Sequence, residues 1–157
     1  MKTYTLTLEE VGKAAFSAAQ EYNKYKTKSW SSDTHLENFF FGKVGEIGYS
    51  KHCGKPVDFT FHEHKGDGGE DFAGVQVKTV TWEGPNKILK VRENDSSLTN
   101  DTVSKFVLMY VSPGSGGLES HVVGEISKEN FLKKSLIDTK YKTKLYTLNE
   151  KDLDTRY

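Results

Sequence analysis

The segment Glu70-Asp71-Phe72-Ala73-Gly74-Val75-Gln76-Val77-Lys78-Thr79 holds a carboxylate, an amide and an ammonium at spacings that a tight hairpin would gather. With Ala73-Gly74 as a two-residue tip, where glycine supplies the positive φ, Phe72 faces Val75 and Asp71 faces Gln76. Directly opposed pairs hold their Cβ atoms about 4.5–5.5 Å apart, and Lys78 shares the face of Gln76, diagonal from Asp71 at about 7–8 Å. Phe72, Val75 and Val77 take the other face as an apolar anchor. Asp71 and the Gln76 side-chain oxygen are hard ligands of the kind Mg²⁺ accepts, in sites that combine one or two carboxylates with waters and phosphate oxygens. Lys78 beside them would assist a metal-activated water and neutralise charge developing on phosphoryl oxygens. This is the chemistry of phosphodiester hydrolysis, and glycines at 66, 68 and 69 would let a nucleic-acid backbone approach the strand closely.

Other elements must present this segment. Thr7-Leu8-Glu9-Glu10 reads as a reciprocal helix cap. Val11, Ala14, Ala15, Ala18, Tyr22 and Tyr25 follow at spacings of three and four, predicting a helix with one apolar stripe that ends near Lys26. Thr34 and Glu37 repeat the cap ahead of Leu36, Phe39, Phe40, Val44 and Ile47, which predicts a second helix over 35–52, stopped by Gly54 and Pro56. Glu46 lies at the edge of its buried stripe. Val57 to Phe61 alternates as a strand would, Lys65 to Gly69 is a turn-rich loop, and Glu70 to Trp82 carries the densest strand signal. The continuous apolar run Phe106 to Val111 predicts a central strand buried on both faces. Ser112 to Gly117 reads as a loop, His121 to Ile126 as a strand, Lys128 to Leu136 as a short basic helix and Asn94 to Asn100 as a mobile polar loop. Without a repeat or composition break, residues 1–157 form one domain of α/β class.

Glu46 on a helix, Asp71, and Gln76-Val77-Lys78 after a short hairpin together resemble the PD-(D/E)xK nuclease superfamily. Gln in place of the second acid is similar to the Asp-Gln-Lys version in Mrr-type restriction endonucleases. Gly66-Asp67-Gly68-Gly69-Glu70-Asp71 ahead of Val75-Gln76-Val77-Lys78-Thr79 resembles small phage-encoded members. Element order carries the likeness over residues 35–126. It implies a restriction-endonuclease-like core, a central mixed β-sheet flanked by helices, and a Mg²⁺-dependent deoxyribonuclease in which Mn²⁺ substitutes. It implies Asp71 as the main metal ligand, Gln76 as the second through its side-chain oxygen and the Val77 carbonyl as a third. Glu46 would complete the metal site or hold a metal-bound water, and Lys78 would be the catalytic lysine. DNA is the implied partner, with a homodimer where both strands are cut. Because Gln76 is uncharged, it binds metal more weakly than an acid would. The alternative is a catalytically weak or inactive nucleic-acid-binding module on the same fold.

With 22 Lys+Arg against 22 Asp+Glu, the chain is not a wholly basic nucleic-acid binder, so contacts to DNA must come from local patches. Residues 128–144 hold six lysines against Glu129 and Asp138, with Tyr141 among them and Tyr146 adjacent; Lys24, Lys26 and Lys28 flank Tyr25 and Trp30. Such patches suit phosphate contacts, or else form a solvated face. One cysteine, Cys53, excludes an internal disulfide and a multi-cysteine zinc site; it reads as a small buried thiol beside a helix-end His52. His62-Glu63-His64 puts two imidazoles on one strand face but shows no third ligand, and Asp67 reads as a turn residue accepting backbone N–H bonds. No apolar run approaches the ~18 residues of a membrane helix, and no signal-peptide block leads the chain. The expectation is a soluble cytoplasmic protein, in the host's cytoplasm if viral.

Overall fold

Thr7 closes the expected cap: its hydroxyl accepts the Glu10 N–H at 3.2 Å, and the Glu10 carboxylate accepts the Thr7 N–H at 2.8 Å. Helix α1, Leu8–Tyr25, follows, with Ala14 and Ala18 buried. Ala15 faces solvent, because the contact stripe is narrow and the next residue around the helix turns out of it. These coordinates belong to a computed structural model that describes residues 1–26, 33–60, 70–84 and 86–156. Helix α2 spans Asp33–Cys53, close to the expected range, but Thr34 lies inside it and is not its cap. Val44, Ile47 and Tyr49 are buried, whereas Leu36 is exposed. Gly54 ends α2 with φ 73° and an N–H bond to the Ser50 carbonyl.

Among the described residues, seven strands follow one another as β1 (Lys2–Thr5), β2 (Val75–Thr81), β3 (Ile88–Arg92), β4 (Lys105–Gly114), β5 (Gly117–Ser127), β6 (Leu136–Asp138) and β7 (Leu145–Asn149). Two short helices, α3 (Ser96–Thr99) and α4 (Lys128–Lys134), interrupt them. The first sheet is mixed, in the order β1-β5-β4-β2, with β2 parallel to β4 and the other pairs antiparallel. As expected, the Phe106–Val111 run is interior, and Phe106 to Met109 are fully buried. A smaller antiparallel sheet, β3-β7-β6, has no counterpart among the expectations.

Register sorts the two faces of the larger sheet. Val77 is opposite Val107, and both pack with Met109, Tyr49 and Phe72 on the side of α2. Gln76 is opposite Phe106 and Lys78 opposite Leu108, on the side where Phe106 and Leu108 pack with Leu89, Val91 and Phe131 of β3 and α4. Two glycines let α2 lie close: a Cβ at Gly45 would fall 2.0 Å from Thr79 Oγ1, and one at Gly48 would fall 2.1 Å from Ser120 Oγ. α2 therefore crosses β2 with its backbone almost on the sheet.

Several local expectations are corrected. Residues 57–60 form no strand; Asp58 accepts the Thr60 N–H at 2.8 Å, a turn that breaks the extended run, and only Val57 of this stretch joins the core. Ser112 to Gly117 is mostly strand, since β4 and β5 continue to the close pair Gly114–Gly117. Asn94 to Asn100 is not a loose loop: Asp95 caps α3, and Ser97 is fully buried. Cys53 is only half-buried, and α4 ends at Lys134. Among the described residues, no helix is long and apolar enough to cross a membrane.

Candidate functional site

The Ala73-Gly74 tip forms as expected, with Gly74 at φ 76°, and Phe72 and Val75 exchange backbone bonds at 3.1 and 2.8 Å. The antiparallel ladder stops after that one bridge. Asp71 does not continue it opposite Gln76. Instead its carboxylate accepts the Val77 N–H at 2.7 Å, and β2 finds its long-range partner in β4. The two pairings use opposite edges of β2: the Phe72 bridge lies along one, and β4 along the other, joining β2 to the larger sheet.

This exchange opens the edge of the sheet. N–H and C=O of one strand residue point to the same side, and those of Val75 and Val77 point away from β4, toward Phe72 and Asp71. The Val77 carbonyl thus faces outward from the edge of β2 that no strand among the described residues pairs. Around that edge lies a cavity of about 430 Å³ whose walls include Glu46, Asp71, Gln76, Val77 and Lys78. All five residues singled out in the sequence meet there, Glu46 arriving from the helix side and Gln76 and Lys78 from the opposite face.

Gln76 carries the least satisfied atom of the site. Its Nε2 leans on the Val77 carbonyl at 3.4 Å, while its buried Oε1 has no hydrogen-bond partner among the described residues. Flipping the amide would set one oxygen against another, so Nε2 is the atom on the Val77 carbonyl and the oxygen is the one left unpaired. A buried acceptor left unpaired costs about 1–3 kcal/mol, which a cation or water would relieve. Among the described residues no three His, Cys, Asp or Glu side chains are placed to hold a metal. The available donor set is two carboxylates, one amide oxygen and one carbonyl, leaving room for waters and phosphate as Mg²⁺ prefers. By donor type the set suits that ion.

Lys78 Nζ is directed at Asp95 Oδ2, 2.6 Å away, with both side chains about four-fifths buried. Burial raises the Asp95 carboxyl, but the Lys78 charge and hydrogen bond, with the Ser97 hydroxyl and N–H, outweigh it and hold it below the usual value. Glu46 is gripped by Lys43 at 2.7 Å, and Lys43 also reaches the Asp58 carbonyl at 3.3 Å. Glu70 closes the turn from outside: the Thr102 hydroxyl and the Gly74 N–H, at 2.9 Å, lower its pKa.

Asp95, Lys43 and Glu70 were missed in the sequence. The i,i+3 spacing of Lys43 and Glu46 and the Asp-x-Ser cap of Asp95 were signals that could have found two of them. In the basic stretch, Lys128 pins α3 through the Ser97 and Asn100 carbonyls at 3.0 and 2.9 Å, and Lys133 pairs with Glu129, so neither is a free phosphate contact. Lys24 lies over the Tyr25 ring at 4.9 Å. Lys28, Trp30, His62-Glu63-His64, Asp67 and the glycines at 66, 68 and 69 fall outside the described residues. Comparison with protein-family models, curated proteins and solved structures found no match.

Proposed function

We propose that the chain is a metal-dependent endonuclease that hydrolyses DNA phosphodiester bonds, built on a restriction-endonuclease-like core of the PD-(D/E)xK kind. The observation that carries this reading is the gathering of Glu46, Asp71, Gln76, Val77 and Lys78 around one cavity, with the Gln76 Oε1 buried and unpaired among the described residues. Those first four groups would hold Mg²⁺ or Mn²⁺, which supplies a polarised phosphoryl oxygen and an activated water. The Val77 N–H fixes the Asp71 carboxylate, and Lys43 fixes Glu46, so neither needs to reorganise on binding. Lys78, swinging from Asp95, would place its ammonium against the charge that grows on the phosphoryl oxygens. Supercoiled plasmid incubated with Mg²⁺, with Mn²⁺ and with chelator tests this. Nicking should require metal and disappear in Asp71→Ala and Lys78→Ala; equal cutting by Asp71→Ala removes the assignment.

One observation favours a second reading. The Lys78 ammonium is already neutralised by Asp95 at 2.6 Å, as in a site that no longer cuts and only binds nucleic acid. That protein would retain DNA in a salt-sensitive way in a gel shift unaltered by Asp71→Ala, beside a blank nuclease assay.

A further inference from the structure

Along β3 the sequence Ile88-Leu89-Lys90-Val91-Arg92 alternates, so Leu89 and Val91 are fully buried while Lys90 and Arg92 stand together on the exposed face. β7 lies beside them, with Thr147 opposite Lys90 and Leu145 opposite Arg92. The turn that leads into β7 carries Tyr141 and Lys142 to the same place. Two carboxylates order that turn: Asp138 accepts the Lys140 N–H at 2.9 Å, and Glu93 accepts the Lys144 N–H at 3.2 Å. The result is a groove of about 660 Å³ lined by Lys90, Arg92, Tyr141 and Lys142 together with Lys78 and Asp95.

The charges of this groove are unbalanced. Its one acid, Asp95, is engaged by Lys78 and by the cap of α3. Lys90, Arg92 and Lys142 form no ion pair among the described residues. Tyr141 is 65% exposed, an aromatic face held in water between cations. Spaced cations with an exposed ring are the equipment of single-strand binding: ammonium and guanidinium groups follow the backbone, and every base offers a π-face to stack. The space, about 660 Å³, is of the size that holds a small ligand such as one or two nucleotides.

We propose that this groove holds a single nucleic-acid strand leaving the cavity at the β2 edge. Lys78 lines both spaces. Resting on the nuclease reading, this assigns the substrate class: DNA with single-stranded character next to the scissile phosphate, such as a flap, tail or branch. Lys90, Arg92 and Lys142 contact phosphates, and Tyr141 stacks on a base.

The test is fluorescence anisotropy of the full chain with a labelled oligothymidine of about twelve nucleotides and a duplex of equal length, in chelator and across about 50–200 mM salt. The parent should bind the strand more tightly than the duplex. In the combined Lys90→Ala, Arg92→Ala, Lys142→Ala chain the affinity should fall at least about tenfold, and the log–log salt slope should flatten by about 2, for three lost contacts. Tyr141→Ala should bind about fivefold or more weakly. Lys142→Glu, a single reversal in an exposed turn, guards against misfolding of the combined variant, and photocrosslinking of a bromouracil strand to the Tyr141 peptide needs no variant. Unchanged strand affinity in the groove variants, a preference of the parent for duplex, or crosslinks confined to other peptides overturns the proposal. Because binding is read without metal, a blank nuclease assay leaves this result standing. Metal-dependent cutting by groove variants that bind normally would overturn the groove and leave the nuclease reading intact.

Discussion

The Asp71 carboxylate accepts the backbone N–H of Val77 at 2.7 Å, taking the place that a second backbone pair would occupy in a longer hairpin. One side chain therefore ends the ribbon and leaves this edge of β2 without a strand partner among the described residues, where Val77 lines the cavity. Asp71→Ala should leave the Val77 N–H unpaired and destabilise the chain by about 1–3 kcal/mol, whereas Asp71→Asn keeps an acceptor and should lose less than about 1 kcal/mol. Denaturant unfolding separates the two. If the carboxylate also holds metal, both variants should lose metal-dependent nicking, so activity and stability part company in the Asn form.

Replacing Gln76 by Glu tests the orphaned oxygen. Without metal, a charge in that buried position should lower stability by about 1–3 kcal/mol. With Mg²⁺ or Mn²⁺ the loss should shrink, and the thermal shift produced by metal should exceed that of the parent. A Gln76→Glu chain equally stable with and without the ion would remove Gln76 from the metal site.

Asp95 and Lys78 should show a pH signature. Asp95 has a lowered pKa in the folded state despite the opposing effect of burial, so its stabilisation is present above the unfolded carboxylate value, about 3.9, and is lost as pH falls through the lower folded value. Asp95→Asn keeps a capping side chain but removes the charge opposite Lys78. It should be about 1–3 kcal/mol less stable than the parent from pH 5 to 8, with the gap closing below about pH 4. A gap that stays constant into strong acid would show that the pair contributes nothing.

The approach of α2 to β2 sets where Glu46 stands. Gly45→Ala places a methyl 2.0 Å from Thr79 Oγ1 and should cost about 1–3 kcal/mol while shifting Glu46 outward. Gly42→Ala meets nothing within 4 Å and should stabilise α2 by about 0.5–1 kcal/mol. Thermal unfolding of the two variants decides whether the contact is as tight as the geometry requires.

Local rules made part of this site readable. The Thr7–Glu10 cap, the buried Ala14 and Ala18 of α1, Val44 and Ile47 of α2, the Ala73-Gly74 tip and the buried run of β4 each depend on neighbours a few residues away, and each stands where its spacing puts it. The grouping of Glu46, Asp71, Gln76, Val77 and Lys78 around one cavity was also foreshadowed by residue type. The role of Asp71 in ending the ladder was not, because a carboxylate can face a neighbouring side chain or cap a backbone N–H with equal ease.

By itself, then, the sequence determined α1, α2 and α4, the Ala73-Gly74 turn and the apolar centre, since periodicity and capping act over three or four residues. Only the tertiary structure decided that β2 would lie parallel to β4, that Ile88–Arg92 would pair with Leu145–Asn149, and that Lys78 would meet Asp95. Those pairings join segments far apart along the chain. What selects them is which arrangement buries both faces of β2 and one face of β3, a property of the whole core that no short window of residues contains.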